Sequence, residues 1–447
     1  MSLEELRHTA VRIGAVALLT AALYGCGSAG AGARTAADDP GLGFIGQVMD
    51  QVQNSYVAPV TKHELVEDAL RGMLTRLDPH SDYMDQQQYR QMAAVTRGQF
   101  GGIGIELTLE GRIPQVISPI DGTPAARAGI EPGDRIIKID GQATDGMDVE
   151  QIVKRLRGAP GTRVTLTILR TNQPSFAVSL TRRIIHVVSV KSALEPGRIG
   201  YVRITTFTEN TPAELAAALA RLKQQAHGRL DGFILDLRND PGGLLDSAVD
   251  VAGDFLNGGV VVTTRGRNPD DDHTFNAPET GDLLPRVPMV ALVNSASASA
   301  AEIVAGALQD HRRATVMGTR TFGKGSVQSI IPMDGYGALR LTTALYYTPS
   351  GRSLQGQGIT PNITVPVPQD EQVANAVVTY ESDLYGALKN GGSLGGTGAR
   401  PAAGTDNAAN DHPIKPLLIG TRRDAQLEAA IAYLHRAVRE AAGPHPG

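Results

Sequence analysis

From residue 198 to residue 310, runs that read as buried strands alternate with runs that read as helices. The order is strand Arg198–Phe207, helix 211–226, strand Gly232–Leu237, helix 243–256, strand Val260–Thr264, strand Val287–Val293 and helix 300–310. Such alternation restricts this stretch to a layered α/β architecture. Strands at 313–317, 327–332 and 338–347 follow, and an amphipathic helix at roughly 423–441 ends the patterned part. In front, residues 41–97 read as helical. Phe44, Ile45, Val48, Met49 and Val52, and then Leu65, Val66, Leu70, Met73, Leu74 and Leu77, recur at helical spacing. Pro79 stops that pattern. Residues 388–411 are a Gly/Ala/Asn linker, and no repeat of 20–50 residues is evident.

A chain of 447 residues has room for about three domains. It is 41% hydrophobic and 20% charged, which excludes wholesale disorder. Lys and Arg number 42 against 46 Asp and Glu, aromatics are 4% and Trp is absent. Neither charge nor a stacking surface therefore favours a nucleic-acid partner. The 51 glycines show no three-residue period, so they belong to tight turns, backbone-contact loops and linkers rather than to collagen. The single cysteine, Cys26, excludes an internal disulfide framework and a zinc cluster of cysteines.

Cys26 closes a further pattern. Residues 13–24 form an apolar run of 12 residues, short of the roughly 20 a membrane span needs. Arg7 and Arg12 precede it, Glu4 and Glu5 weaken the basic flank, and Leu23-Tyr24-Gly25-Cys26 ends it. The pattern resembles a bacterial lipoprotein signal. The resemblance implies a signal peptide at 1–25, lipidation of Cys26 and a flexible tether at 26–40. It also implies an exported, periplasmic protein attached to the membrane by its lipid. A soluble periplasmic protein and a single uncleaved N-terminal anchor are the alternatives, and all three share export.

Residues 98–185 hold a glycine-rich strand start at Gly101–Ile105, the run Thr123–Asp134 and an apolar helical face from Val149 to Leu156, and together these resemble a PDZ domain. The resemblance rests on Gly101-Gly102-Ile103-Gly104-Ile105, on Thr123-Pro124-Ala125-Ala126-Arg127-Ala128-Gly129-Ile130-Glu131-Pro132-Gly133-Asp134, and on a helix whose apolar face is Val149, Ile152, Val153 and Leu156. PDZ domains bind a C-terminal peptide by strand addition between one strand and one helix. Glycines at 101, 102 and 104 free backbone N–H groups for a terminal carboxylate, and Ile103, Ile105, Val149 and Val153 offer an apolar pocket.

Three segments carry the chemistry. Val293-Asn294-Ser295-Ala296-Ser297-Ala298-Ser299 takes a strand through a small-residue turn into the helix that begins near Ala300. A serine there sits at a helix N-terminus, where free N–H groups favour developing negative charge. Asp236-Leu237-Arg238-Asn239-Asp240-Pro241-Gly242-Gly243 is a second strand-to-helix turn, whose glycines let backbone N–H groups approach a ligand. Gly323-Lys324-Gly325 sets a lysine between glycines, which suits an amine pressed against backbone in a tight site. Desolvation lowers the pKa of such an amine, so it can take a proton from serine. Gly318–Lys324 nearly spells a phosphate-binding loop, but Gly325 holds the required Ser/Thr position and a strand follows. Gly391-Gly392-Ser393-Leu394-Gly395 matches a nucleophile-elbow pattern by chance, within the linker. Asp270-Asp271-Asp272-His273 reads as a solvated loop rather than a metal site.

Taken in order, Leu77-Asp78-Pro79-His80-Ser81, Phe100–Ile105, the PDZ block, Leu235–Gly243, Ser297–Ile303, Phe322–Gln328, Thr348–Arg352 and Gly358–Pro361 resemble the C-terminal processing (tail-specific) serine peptidases over about residues 41–368. The resemblance implies an α/β (α+β) multidomain protein. Its parts are an N-terminal helical region at 41–97, a PDZ domain at 98–185, a ββα-type peptidase core at 186–370, and a C-terminal linker and helical region at 371–447. It implies a Ser–Lys dyad of Ser299 and Lys324, with Gln328 orienting the lysine amine. Ser295 and Ser297 stay open only if the serine run is misaligned. The oxyanion donors implied are the N–H groups of Ala300 and of Gly242 or Gly243. No metal, nucleotide or other cofactor is needed. The partners expected are protein or peptide C-termini with an apolar tail and the membrane. Segments 41–97 and 423–441 resemble family regions used for dimerisation, which raises a homodimer, and an adaptor protein that aligns the dyad is a further expectation. The rival from another class is an inert PDZ scaffold, which would be expected to lose Ser299, Lys324 or Gln328.

Overall fold

The chain divides into two compact units, Met1–Val66 and Glu67–Gly447. The computed structural model describes residues 40–110, 112–120, 122–279, 281–372, 378–390 and 418–441. The lipoprotein-like segment with Cys26 and the linker with its Gly391–Gly395 pattern lie outside the described residues.

The first unit contains α1 (Pro40–Ser55) and the start of α2 (Lys62–Thr75). On α1, Leu42, Phe44, Ile45 and Val48 are 45% to 64% exposed. In the second unit, β1 (Asp82–Met84) and α3 (Gln86–Thr96) come next. β1 interrupts the stretch expected to be helical. Three residues carry no period, and this strand exists through its antiparallel pairing of Asp82–Met84 with Arg340–Ala338.

The PDZ block contains β2 (Gln99–Gly102), β3 (Ile105–Glu110), β4 (Ile113–Pro119), α4 (Pro124–Arg127), β5 (Arg135–Ile139), β6 (Gln142–Ala143), α5 (Val149–Leu156), β7 (Arg163–Leu169), β8 (Phe176–Thr181) and β9 (Arg183–His186). Strands β3-β4-β5-β7-β8 form one sheet with β6 on β5, while β2 and β9 pair apart as a ribbon. The inward faces of β5 and β7, with Ile136, Ile139, Val164, Leu166 and Ile168, bury against Ile152 of α5. Asp148 caps α5 by accepting the Gln151 N–H at 2.8 Å.

The peptidase block follows with β10 (Val190–Glu195), β11 (Ile199–Ile204), α6 (Thr211–Gln225), β12 (Gly232–Asp236), α7 (Leu245–Gly253), β13 (Val260–Gly266), β14 (His273–Asn276), β15 (Met289–Val293), α8 (Ala300–Asp310), β16 (Thr315–Gly318), β17 (Ser326–Met333), β18 (Gly337–Tyr347), β19 (Ile363–Thr364) and α9 (Ala425–Ala441). A six-stranded sheet runs β10-β11-β12-β15-β16-β19, parallel from β11 onward. Side chains alternate across it. Phe233, Leu235, Met289, Ala291 and Val293 face one core with α6, α7 and α8. Ile234, Val290 and Leu292 face the other, where Leu427, Ala430 and Leu434 of α9 cover them. Both faces are covered, so β12 and β15 are buried at every residue and read as continuous apolar runs. The apolar stripe of α9 is thus used within the chain.

A buried ion cluster fastens the start of α9 to the chain just past β12. Arg238, just past β12, is fully buried and donates to Asp236 at 2.6 and 2.9 Å, to Asp424 at 2.6 and 2.8 Å and to Gln426 at 3.0 Å. Burial alone would raise the Asp236 carboxyl, but the Arg238 guanidinium outweighs it and holds Asp236 below the usual carboxylate range. A second sheet, β1-β18-β13-β14 with β17 on β18, carries the residues after the lysine.

Candidate active site

The site forms where parallel strands β12, β15 and β16 release their chains, the end at which open α/β sheets place their ligands. Polar bonds stitch the first two exits together. Asn294 Nδ2 donates to Asn239 Oδ1 at 2.6 Å, and the Asn239 N–H donates to Asn294 Oδ1 at 3.0 Å. The Ala298 N–H reaches the Asp240 carbonyl at 2.9 Å. Ser297 Oγ accepts the Asn294 N–H at 2.9 Å and donates to the Leu237 carbonyl at 2.8 Å, and the residue is fully buried. Its hydroxyl is committed to holding the turn.

Ser299 follows, with φ 54° and ψ −113°. Those angles belong to the first central position of a type II′ turn, where glycine is the usual residue. A serine held there stores about 1–3 kcal/mol of backbone strain. The turn projects Ser299 at the start of α8, beside the N–H of Ala300, which has no partner within the helix. Gly242 lies directly behind: a Cβ on it would sit 2.8 Å from Ser299 Cβ and 2.9 Å from the Ala300 nitrogen. Any side chain at 242 would fill the space beside the serine.

The two glycines of that turn differ. The Gly242 N–H donates to Asp240 Oδ1 at 2.8 Å. Gly243 is solvent-exposed, and its N–H makes no hydrogen bond among the described residues. It is held in place because the bonds on either side, Phe207 N–H to the Gly242 carbonyl and Leu244 N–H to the Phe207 carbonyl, are both 2.9 Å. Burial pushes the Asp240 carboxyl well above the usual range, although the Gly242 N–H favours its anion.

Lys324 enters from the loop after β16. Its glycine neighbours are required: a Cβ on Gly325 would lie 2.2 Å from the Gln355 nitrogen, and Gly323 has φ 95°. Burial lowers the amine below the ordinary lysine range. Glu381, Glu302 and Asp78 pull it back up, while Arg340 adds to the lowering. The amine is hydrogen-bonded to neither Ser299 nor Gln328 in this structure. Gln328 sits on β17, where a bulge shifts its register against β18, and its amide nitrogen donates to Ser326 Oγ at 2.9 Å and Thr342 Oγ1 at 3.3 Å.

Sequence reasoning assigned no role to Glu302. Its side chain is fully buried one turn into α8 and accepts four donors. Oε2 takes the N–H groups of Ser299 at 2.8 Å and Lys324 at 2.9 Å. Oε1 takes the Thr321 hydroxyl at 2.5 Å and the Gly323 N–H at 2.7 Å. One carboxylate therefore clamps the serine turn to the lysine loop. Burial raises it to about 7 against those four bonds. The signal was present as a Ser-x-x-Glu capping pattern, which reads as helix start and hides the second pair of bonds.

The PDZ groove is lined by Phe100, Gly102, Ile103, Gly104, Ile105, Leu107, Val153, Leu156 and Arg157. Gly101 does not line it; it packs on the turn after α5, where its carbonyl accepts the Gly158 N–H at 3.1 Å. Ile103 is 2% exposed and serves the domain core as well. Val149 begins α5, and its side chain lies outside the described set. The Arg157 guanidinium lies 4.6 Å from the Phe100 ring centre and brings positive charge to the groove. Asp270–His273, the solvated loop of the sequence reading, is exposed and straddles a single helical turn and the start of β14.

Comparison with known proteins identifies the family. The model for peptidase family S41 matches residues 198–365, that for a PDZ domain matches 115–170, and that for the activating protease CtpB N-terminal domain matches 29–88. A carboxy-terminal-processing protease of Bartonella bacilliformis is 49% identical over 352 residues, covering 78% of this chain and 80% of that one. The carboxyl-terminal-processing protease of Synechocystis is 36% identical, covering 73% and 76%. The carboxy-terminal processing protease CtpA of Bacillus subtilis is 33% identical, covering 76% and 72%. Among solved structures, a photosystem II D1 C-terminal processing protease aligns with 73% of this chain and 93% of its own, at 28% identity and a TM-score of 0.44. With 49% identity to one such protease over 352 aligned residues, this chain belongs to the carboxy-terminal processing serine peptidases of family S41, with a PDZ domain in front of the peptidase core.

Proposed function

We propose that Ser299 and Lys324 form the catalytic dyad, and that the PDZ groove captures the free C-terminus of an exported protein so that its tail is cut nearby. The observation that carries this reading is the Glu302 clamp, which ties the backbone of both residues to one carboxylate. Neutral Lys324 takes the Ser299 proton as the hydroxyl attacks the peptide carbonyl. The N–H groups of Ala300 and Gly243 hold the oxyanion; Gly242 is already occupied by Asp240. Lys324, now an ammonium, returns the proton to the leaving amine, and water then clears the acyl-enzyme. Gln328 orients the amine through its side-chain oxygen, its nitrogen being engaged elsewhere. Catalytic hydrogen bonds often tighten only with substrate present, so the dyad closes when a tail is bound. The groove residues Ile105, Leu107 and Val153 favour an apolar tail. The test is cleavage of a protein with a free apolar C-terminus by wild type, Ser299→Ala and Lys324→Ala. Equal rates for wild type and Ser299→Ala would sink the reading.

We also propose a periplasmic protein anchored by lipid on Cys26, because the apolar run 13–24 leads directly into that cysteine. Cys26→Ser should abolish incorporation of labelled palmitate, and a wild-type chain that takes up no label would argue against the anchor. A homodimer through α1 is supported by exposed Leu42, Phe44, Ile45 and Val48; sedimentation showing only monomer at micromolar concentration would remove it. An adaptor that aligns the open dyad is the remaining partner proposal, and full activity of the purified chain alone would make it unnecessary.

A further inference from the structure

Glu381 lies beyond the residues matched by the S41 model, on a single helical turn at Glu381–Asp383. It is 1% exposed, and its surroundings all lead to the lysine loop. Its N–H donates to the Phe322 carbonyl at 3.1 Å, two residues before Lys324. Its carboxylate accepts Gln355 Nε2 at 3.0 Å, and Gln355 Oε1 accepts the Gly325 N–H at 3.0 Å, one residue after Lys324. His80 Nε2 faces both of its oxygens at 2.8 and 3.0 Å. His80 is itself anchored, since its N–H donates to Asp78 Oδ1 at 2.8 Å and its carbonyl accepts Arg340 Nε at 2.9 Å. A buried carboxylate bracketed in this way is expensive to keep unless a cation answers it.

We propose that Glu381, clamped by His80 and Gln355 on both flanks of the lysine loop, is a positioning residue that supplies the counter-charge to Lys324 during the reaction. The inference rests on the Ser–Lys reading. Four charged side chains bear on the Lys324 amine. Glu381, Glu302 and Asp78 favour its charged form and Arg340 disfavours it. His80 bears on Glu381. When Lys324 takes the serine proton it becomes an ammonium in a buried site, where a fixed anion is worth more than in water. Glu381 is therefore an ordering device for the charged intermediate, provided by segments on either side of the peptidase core.

Activity needs neutral Lys324, so the acid limb of kcat/KM follows that amine. Glu381 favours the ammonium, so Glu381→Gln should move the limb to lower pH by about one unit. It should also lower kcat on the plateau several-fold with little change in KM. Arg340 disfavours the ammonium, so Arg340→Gln should move the limb to higher pH. A structural role for either residue would lower activity without opposite shifts. The experiment is the pH profile of tail cleavage by the full chain and both variants. Opposite shifts are expected; unmoved limbs, or two shifts in one direction, overturn the inference. If Glu381→Gln does not fold, Glu381→Asp decides: the retracted carboxylate should move the limb part of the way to lower pH, and an unmoved limb overturns the inference. Lys324→Ala keeps the two levels apart. Retained activity in it sinks the dyad, whereas its loss together with unmoved limbs sinks only the role of Glu381.

Discussion

The PDZ groove and the peptidase site lie in the same compact unit, yet their residues are held in different ways. The groove is lined by apolar side chains and glycine, with Arg157 its one charged member. Burial of apolar surface is non-directional, so such a surface tolerates small shifts in what packs on it. The peptidase site is a polar lattice. Asn239 with Asn294, Ser297 with Leu237, and Glu302 with Ser299, Thr321, Gly323 and Lys324 leave little freedom to its three loops. Transition-state stabilisation depends on donors fixed before the reaction, and displacements of about 1 Å cost about 100-fold. Changes in the groove should therefore be graded and appear in KM, whereas changes in the lattice should be steep and appear in kcat.

The steepest test is Ser299→Ala or Lys324→Ala, each expected to lower kcat about 10⁴-fold or more. The proposed dyad predicts that wild-type kcat/KM rises with pH as Lys324 loses its proton, on a limb below the ordinary lysine value of 10.5, because burial lowers the amine. A limb near 10.5 in a pH-jump assay would contradict a buried base. Next comes Asp424→Ala, outside both regions. It leaves the fully buried Arg238 without half of its carboxylate partners, so unfolding in urea should show a loss of about 3–5 kcal/mol. Glu302→Gln should then reduce kcat about 100-fold at similar KM. A glutamine keeps one acceptor oxygen and turns an NH2 toward N–H donors that now bond the other oxygen. In the groove, Val153→Asp should raise KM about tenfold for an apolar tail and leave kcat nearly unchanged, since it removes uniform binding. A kcat loss there as large as for Glu302→Gln would erase the contrast between the two regions. The smallest effect is Ser299→Gly against Ser299→Ala. The glycine variant should be the more stable by about 1 kcal/mol in thermal unfolding, because alanine keeps the strain of a positive φ.

Much of the architecture was legible in the residues. The reading of a helix over 300–310 coincides with α8, and the alternation that opens the peptidase block became the β11–α6–β12–α7 run. Long apolar runs and 3.6-residue periods are local, so they survive without tertiary information. Strand Arg198–Phe207 was read too long: the ladder ends at Ile204, and Phe207 makes only an isolated bridge to Gly243. The motifs that hold Ser299 and Lys324 were legible in their order, and the structure ties the backbone of both to the Glu302 carboxylate. What escaped was polar and distant. Arg238 meets Asp424 across 186 positions, and His80 meets Glu381 across 301. No period or turn residue marks such a pair, because a buried ion pair is specified by the packing that brings it together. Gly101 was assigned to the groove by proximity to Gly102 and Gly104, whereas the ribbon with β9 carries it to the turn after α5.

The measurement that most directly tests the central claim is peptide mapping of the full chain after reaction with a fluorophosphonate, a reagent that labels activated serine. The structure leaves Ser297 with its hydroxyl committed and places Ser299 beside the free N–H of Ala300. The account predicts a single adduct on Ser299, formed faster as pH rises and lost in Lys324→Ala. An adduct on Ser295 or Ser297, or labelling of Ser299 that is unchanged in Lys324→Ala, would contradict it.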